Sequence, residues 1–123
     1  MKQTPRILIV DDDPEVATML ARALARHGFE GDAVSSAEDA LARAATTPYD
    51  AALLDLVMPG RDGAELSQTL RRRFPGLPIG LLTGYGHSPL IPAFEKSGMA
   101  VFKKPILIQD LVEFLHREIG GGS

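Results

Sequence analysis

The chain of 123 residues is long enough for one compact domain, with apolar residues at 45% and charged residues at 24%. Its formal net charge of -3 argues against electrostatic binding of nucleic acid, so we expect no direct nucleic-acid binding. The absence of cysteine excludes disulfides, thiolate metal sites and cysteine nucleophiles. Apolar runs far short of a membrane helix and a start without a signal-peptide pattern predict no membrane insertion and a cytoplasmic location.

Five short segments predict β-strands, and the first and third of them are strongly apolar. The first, Arg6–Val10, carries four successive apolar residues, and such runs are typical of strands buried on both faces of a parallel sheet. The five segments cover residues 6–10, 30–34, 50–56, 79–83 and 100–103.

Five helices are predicted between and after these strands. Asp13 and Pro14 supply an N-cap and a first helical residue, and Gly28 is expected to end this first helix. The later helices are predicted over residues 36–45, 62–74, 88–97 and 107–119. Because Pro92 lies inside the fourth helix or at its start, we expect that helix to be short or irregular.

Strict alternation of strands and helices leaves only short connections. This pattern predicts right-handed crossovers around one parallel sheet, with helices on both faces. We therefore expect an α/β fold in which residues 1–119 form one domain. Residues 120–123, which read Gly-Gly-Gly-Ser, are expected to form a flexible tail.

Polar residues stand where four of the predicted strands end. Asp11–Asp13 follow the first strand, Asp55 ends the third, Thr83 ends the fourth and Lys104 follows the fifth. Ligands of open parallel sheets bind beyond the carboxyl ends of the strands. We therefore expect these side chains to converge at one edge of the sheet.

The chemistry of this set favours a phosphoryl site that depends on magnesium. Clustered carboxylates repel one another unless a cation compensates, and oxygen ligands without sulfur or imidazole suit Mg2+. Lys104 can bind an anion, and Thr83 can donate a hydrogen bond to it. Asp55 would then be the nucleophile that becomes an aspartyl phosphate.

Each of these residues also has an ordinary structural interpretation. The aspartate triplet can be a solvated helix start, Asp55 can cap a turn, and Thr83 and Lys104 can be strand-end and surface residues. Their combination at four separate strand ends favours the site. The basic run Arg71–Arg73 is interpreted as a solvated helix face, and the three histidines receive no role.

Four segments together resemble the receiver domain of bacterial two-component response regulators, over about residues 6–119. They read Ile-Leu-Ile-Val-Asp-Asp-Asp-Pro at 7–14, Leu-Asp-Leu-Val-Met-Pro-Gly-Arg-Asp-Gly at 54–63, Leu-Thr-Gly at 82–84 and Lys-Lys-Pro at 103–105. The resemblance implies a flavodoxin-like, doubly wound sheet of five parallel strands in the order 2-1-3-4-5, flanked by five helices.

The resemblance implies that Asp55 accepts a phosphoryl group from a sensor histidine kinase or a phosphotransfer protein. The metal would be Mg2+ or Mn2+, and its ligands would be Asp11, Asp12, Asp55 and the backbone carbonyl of Val57. Asp12 is expected to be the more direct ligand of the acidic pair. Asp13 is expected only to cap the first helix.

Thr83 and Lys104 would, by the same resemblance, bind the phosphoryl oxygens and report phosphorylation to the face formed by the fourth helix, the fifth strand and the fifth helix. This implies a phosphoacceptor switch rather than a turnover enzyme, acting on a downstream protein or an output domain. The chain would be a stand-alone regulator or a part of a longer regulator or hybrid kinase.

Two departures from the family pattern concern the switching face. Val101 stands three residues before the lysine, where an aromatic switch residue is usual, and Phe102 follows it. Leu107 replaces a polar helix cap and forms an apolar cluster with Ile106 and Ile108. Part of this cluster must be core, and the rest is a candidate surface for a partner or a homodimer.

A third departure concerns water. Val57 and Tyr85 stand two residues after Asp55 and Thr83. Neither side chain can act as a small acid or amide that positions an attacking water. This predicts a phosphoryl group that survives for a long time.

Two other functions stay open. A Mg2+-dependent phosphatase could use Asp11 and Asp13 as nucleophile and acid, with Thr83 and Lys104 as phosphate binders, but it leaves Asp55 unexplained. A degenerate receiver would only bind partners, and the intact set of aspartate, threonine and lysine argues against it.

Overall fold

The computed structural model describes residues 4–56, 63–84 and 91–119. All strands of the described chain lie in one parallel sheet, in the order β2-β1-β3-β4-β5. They are β1 (Arg6–Val10), β2 (Glu30–Val34), β3 (Ala51–Asp55), β4 (Ile79–Thr83) and β5 (Ala100–Lys103). The predicted strand order 2-1-3-4-5 is confirmed.

The helices lie where the periodicity predicts them, with small shifts at their ends. They are α1 (Pro14–Ala25), α2 (Ala37–Thr46), α3 (Gly63–Arg73), α4 (Ile91–Lys96) and α5 (Ile108–Ile119). The described part of α4 has only six residues, and the predicted helical residues at 62 and 88–90 lie outside the described ranges. None of the described helices has the length and hydrophobicity needed to span a bilayer.

The first helix shows how local signals set its ends. The Asp13 side chain accepts a hydrogen bond from the Glu15 N–H at 3.0 Å, and Pro14 is the first helical residue, so the predicted capping role of Asp13 is confirmed. The helix ends at Ala25, earlier than predicted, because the amides of residues 26–28 donate to carbonyls three residues back rather than four. Gly28, with φ of 87°, then turns the chain into β2.

The sheet separates two hydrophobic clusters. All residues of β3 and β4 are buried, as their continuous apolar runs predict. On one face the sheet packs against α2, α3 and α4 through Leu8, Leu54, Leu66, Leu70, Leu81 and Phe94. On the other face it packs against α1 and α5 through Ile9, Leu20, Leu24, Leu53, Leu111 and Phe114.

Neighbouring residues of β5 face opposite clusters. Val101 packs on the α3 and α4 side, whereas Phe102 packs on the α5 side. The Phe102 ring meets Phe114 edge to face, with centroids 5.5 Å apart. Gly80 of β4 makes the room, since a Cβ there would lie 2.9 Å from Leu53 Cδ2 and 3.1 Å from Phe102 Cε2. The aromatic residue of this strand therefore belongs to the α5 side of the core.

Candidate functional site

Three carboxylates meet at the carboxyl edge of the sheet. Because β1 and β3 are neighbours, the residues that follow β1 stand beside the last residue of β3. One carboxylate oxygen from each of Asp11, Asp12 and Asp55 lies within 4.8 Å of the others. Asp11 and Asp55 are buried and Asp12 is exposed. The predicted convergence of these side chains is present in the structure.

Asp11 is the buried centre of this group. Its Oδ1 accepts a hydrogen bond from the Asp13 N–H at 2.9 Å, while its buried Oδ2 has no hydrogen-bond partner among the residues that the structure describes. Burial raises the pKa of Asp11, and the charges of Asp55 and Asp12 raise it further, against the opposing effects of the Asp13 amide and Lys104. A buried oxygen without a hydrogen bond, beside two more carboxylates, fits a hard divalent cation.

Lys104 brings a positive charge to the same edge. Its Nζ lies 3.6 Å from Asp55 Oδ1 and 3.9 Å from Asp11 Oδ2. Both distances exceed the length of a hydrogen bond, so these contacts are ion pairs. The Lys104 N–H donates to the Thr83 carbonyl at 2.7 Å, which fixes the lysine backbone to the end of β4. With 35% of its side chain exposed, Lys104 is open to an anion from solvent.

Thr83 stands at this edge as well. In the register of β3 and β4, Asp55 pairs with Leu82, so Thr83 lies one residue beyond the partner of Asp55. Thr83 is buried. Of the predicted site residues, Val57 lies outside the described ranges, as does Tyr85. The structure thus brings Asp11, Asp12, Asp55 and Lys104 together and puts Thr83 at the same end of the sheet.

Gly63 is a site residue to which the sequence assigned no role. It is the first residue of α3, and its N–H donates to the Leu56 carbonyl at 2.9 Å. A Cβ at this position would lie 2.0 Å from the Asp55 carbonyl oxygen and 2.8 Å from Leu56 Cα. Only a glycine lets α3 start so close to the backbone of Asp55. The sequence signal that could have indicated this close approach was a glycine, which is a weak helix former, at the start of a helix.

A doubly wound five-stranded sheet with an acidic cluster and a lysine at its carboxyl edge defines a receiver-type α/β domain. The family model described as "Response regulator receiver domain" matches residues 7–116. The chain therefore belongs to the response regulator receiver domain family. Receiver domains act as phosphoacceptor switches, typically bind Mg2+ at an acidic pocket, and interact with histidine kinases and output domains.

Individual relatives agree with this assignment. The transcriptional regulatory protein TcrA of Mycobacterium tuberculosis (strain ATCC 25618 / H37Rv) is 41% identical over 81 residues, which cover 66% of this chain and 32% of that protein. The DNA-binding transcriptional regulator NtrC of Salmonella typhimurium is 32% identical over 116 residues, covering 92% of this chain and 24% of that protein. The chain thus spans a third or less of the length of both relatives.

A solved structure shows the same fold. The crystal structure of a CheY-like response regulator receiver domain protein from Methanospirillum hungatei JF-1 has a TM-score of 0.88 at 28% identity. The match covers 96% of this chain and 95% of that one. Both the predicted family and the predicted flavodoxin-like fold are confirmed.

Proposed function

We propose that this chain is a Mg2+-dependent phosphoacceptor switch in which Asp55 takes a phosphoryl group from a histidine kinase or a phosphotransfer protein. The observation that carries the proposal is the position of Asp55. It lies among two further carboxylates, with Lys104 Nζ 3.6 Å from its Oδ1. A nucleophilic carboxylate, an acidic pair and a cation at one strand edge suit the transfer of an anionic group to an aspartate.

Asp11, Asp12 and Asp55, with the carbonyl of Val57, would hold Mg2+ or Mn2+. When bound, the metal would offset the charge of the carboxylates and polarise the phosphoryl oxygens. The buried Oδ2 of Asp11, which accepts no hydrogen bond from the described part of the chain, supports this assignment. Asp12 is exposed and lies toward solvent, where a metal ion that keeps several waters is accessible.

In the proposed transfer, a carboxylate oxygen of Asp55 attacks the phosphorus of a phosphohistidine. A P–O bond forms while the P–N bond breaks, and the leaving imidazole nitrogen keeps the electron pair. Lys104 would shift from its ion pairs with Asp55 and Asp11 to a phosphoryl oxygen, and the Thr83 hydroxyl would donate to another. The modification adds about -1.5 to -2 charges, which these two groups offset.

Thr83 is the last residue of β4, and Lys104 directly follows β5. Their movement toward the phosphoryl group would therefore bias the conformation of the α4-β5-α5 face. The apolar cluster near this face is partly exposed: Leu107 is 63% exposed, while Ile106 and Ile108 pack partly into the core. This exposure supports a contact with a downstream protein, an output domain or a second copy of the chain. The chain would work as a switch in the cytoplasm, alone or within a longer regulator or hybrid kinase, without turnover of substrate.

Intact mass after incubation with acetyl phosphate and magnesium tests the proposal. The native chain should gain one phosphoryl group only when magnesium is present, and Asp55→Asn should gain none. Asp13→Asn is the matched control, because it changes a neighbouring acid that only caps α1 and should leave phosphorylation intact.

Two results would overturn the assignment. An adduct that persists in Asp55→Asn would point to Asp11 and to a phosphatase-like use of the acidic residues. The absence of an adduct on the native chain, with acetyl phosphate and with a histidine kinase alike, would favour a domain that only binds partners.

A further inference from the structure

One side chain of α3 binds the end of α4. The Arg71 guanidinium donates a hydrogen bond to the backbone carbonyl of Ser97, the residue directly after α4. Arg71 is half-buried, unlike its neighbour Arg72, whose exposed side chain donates to Thr69 within α3. The basic run interpreted as a solvated helix face therefore contains one arginine with a structural partner on another helix.

The end of α4 is built so that the Ser97 carbonyl is available. The amides of Gly98 and Met99 bond back to the carbonyls of Glu95 and Phe94 at 3.1 Å, and Gly98 adopts φ of 91°. This left-handed turn satisfies earlier carbonyls of the helix. The last carbonyls of a helix have no intrahelical partner, and a cationic donor suits them.

The C-terminal end of α4 is held by contacts with the rest of the domain. Phe94 and Met99 anchor its C-terminal half in the core beneath. Arg71 adds a directional contact from α3, so the position of this end is tied to α3 and not only to the sheet.

The other end of α3 reaches the phosphoacceptor. Gly63, its first residue, lies against the backbone of Asp55 and donates to the Leu56 carbonyl. Arg71 follows eight residues later on the same helix. A single helix therefore contacts the backbone at Asp55 with its first residue and α4 with a side chain near its last turn.

We propose that Arg71 is a positioning residue of the α4-β5-α5 face, which ties the end of α4 to α3 and thereby couples α4 to the backbone at Asp55. The contact itself is independent of phosphorylation, whereas the coupling rests on the proposed function.

The contact is tested by amide hydrogen exchange of Arg71→Gln and the matched control Arg72→Gln. Loss of one hydrogen bond to a charged donor should accelerate the exchange of residues 97–99 by roughly fivefold to tenfold in Arg71→Gln only. Equal exchange of this segment in both variants would overturn the proposal. So would an acceleration spread over the whole sheet, which would show a loss of global stability rather than of position.

The coupling is tested on the phosphorylated proteins. Mass measurement should show that both variants take one phosphoryl group as the native chain does, since neither arginine belongs to the site. Phosphorylation should then change the amide exchange rates of residues 97–99 in the native chain and in Arg72→Gln. In Arg71→Gln the change in these rates should be less than half as large. An undiminished change in Arg71→Gln would overturn the coupling. If no variant is phosphorylated, the proposed function fails, while the exchange of the unmodified variants still decides the contact.

Discussion

At the scale of single residues, Asp11 shows the energetic cost of the site. A buried carboxylate beside two other acids is unfavourable unless cations or hydrogen bonds compensate. The Asp13 amide and the Lys104 ammonium supply part of that compensation. Since the pKa of folded Asp11 is raised, its ionised form costs stability at neutral pH, and this cost disappears as the pH falls through the raised pKa.

We therefore predict that Asp11→Asn stabilises the metal-free protein. The amide oxygen can still accept the Asp13 N–H, while the buried charge is removed. Urea unfolding in EDTA should show a gain on the order of 1 kcal/mol. Titration with magnesium should show weaker binding than in the native chain and in the control Asp13→Asn. A loss of stability in EDTA would contradict the electrostatic account of Asp11.

A second prediction at this scale concerns the lifetime of the phosphoryl group. Val57 and Tyr85 offer no small acid or amide to position a water, so hydrolysis should be slow. After removal of acetyl phosphate, intact mass should show a phosphorylated form that decays over minutes or longer. Val57→Asn, which introduces a side-chain amide at this position, should shorten this lifetime. A native half-life of seconds would refute the prediction.

At the scale of elements, the start of α3 is the most restrictive junction near the site. Gly63→Ala would put a Cβ 2.0 Å from the Asp55 carbonyl oxygen, so the helix or the strand end must shift. We expect a loss of about 2–4 kcal/mol in urea unfolding and slower phosphorylation by acetyl phosphate. Gly76→Ala is the matched control, because a Cβ there meets no atom within 4 Å. Similar stability of the two variants would argue against this close approach.

Local signals predicted most elements, because β1, β3 and β4 are mainly apolar runs and α1 carries a visible cap. They did not predict which cluster Val101 and Phe102 would each face. In a strand that packs against apolar clusters on both sides, polarity does not distinguish the two faces, so side-chain direction depends on register and on space such as that above Gly80. The bond from Arg71 to Ser97 likewise arises from helix packing and has no local signature.

At the scale of the whole molecule, the candidate site was predictable because parallel strands bring their carboxyl ends to one edge. Four polar strand ends were therefore expected to meet, although they lie far apart in sequence. The sequence did not show that Asp11 is buried and Asp12 exposed. That difference depends on how closely the neighbouring strand and the helix after it cover each side chain.

A further prediction concerns stability at high pH. The Tyr49 hydroxyl donates to Asp32 Oδ2 at 2.8 Å, which links the segment before β3 to β2. Burial and the Asp32 carboxylate raise the pKa of Tyr49 from 10.0 to about 12. The folded state thus favours the neutral phenol. The stability that the neutral Tyr49 contributes is complete below pH 10 and is lost as the pH rises through about 12.

Tyr49→Phe tests this directly. Urea unfolding near neutral pH should show a loss of about 1 kcal/mol from the missing hydrogen bond. The difference between the native chain and Tyr49→Phe should shrink as the pH passes from 10 toward 12. A difference that stays constant over this interval would contradict the raised pKa of Tyr49.

The two outer strands of the sheet have a consequence for how the domain joins other chains. β2 carries Glu30 and Asp32, both paired with Arg6, and β5 has only four residues and ends in Lys103. Charges and short length at such edges disfavour the addition of a foreign strand, the usual start of uncontrolled aggregation. The edges of the described sheet therefore disfavour backbone pairing with another chain, which leaves the side chains of the helices as the more accessible surface for contacts.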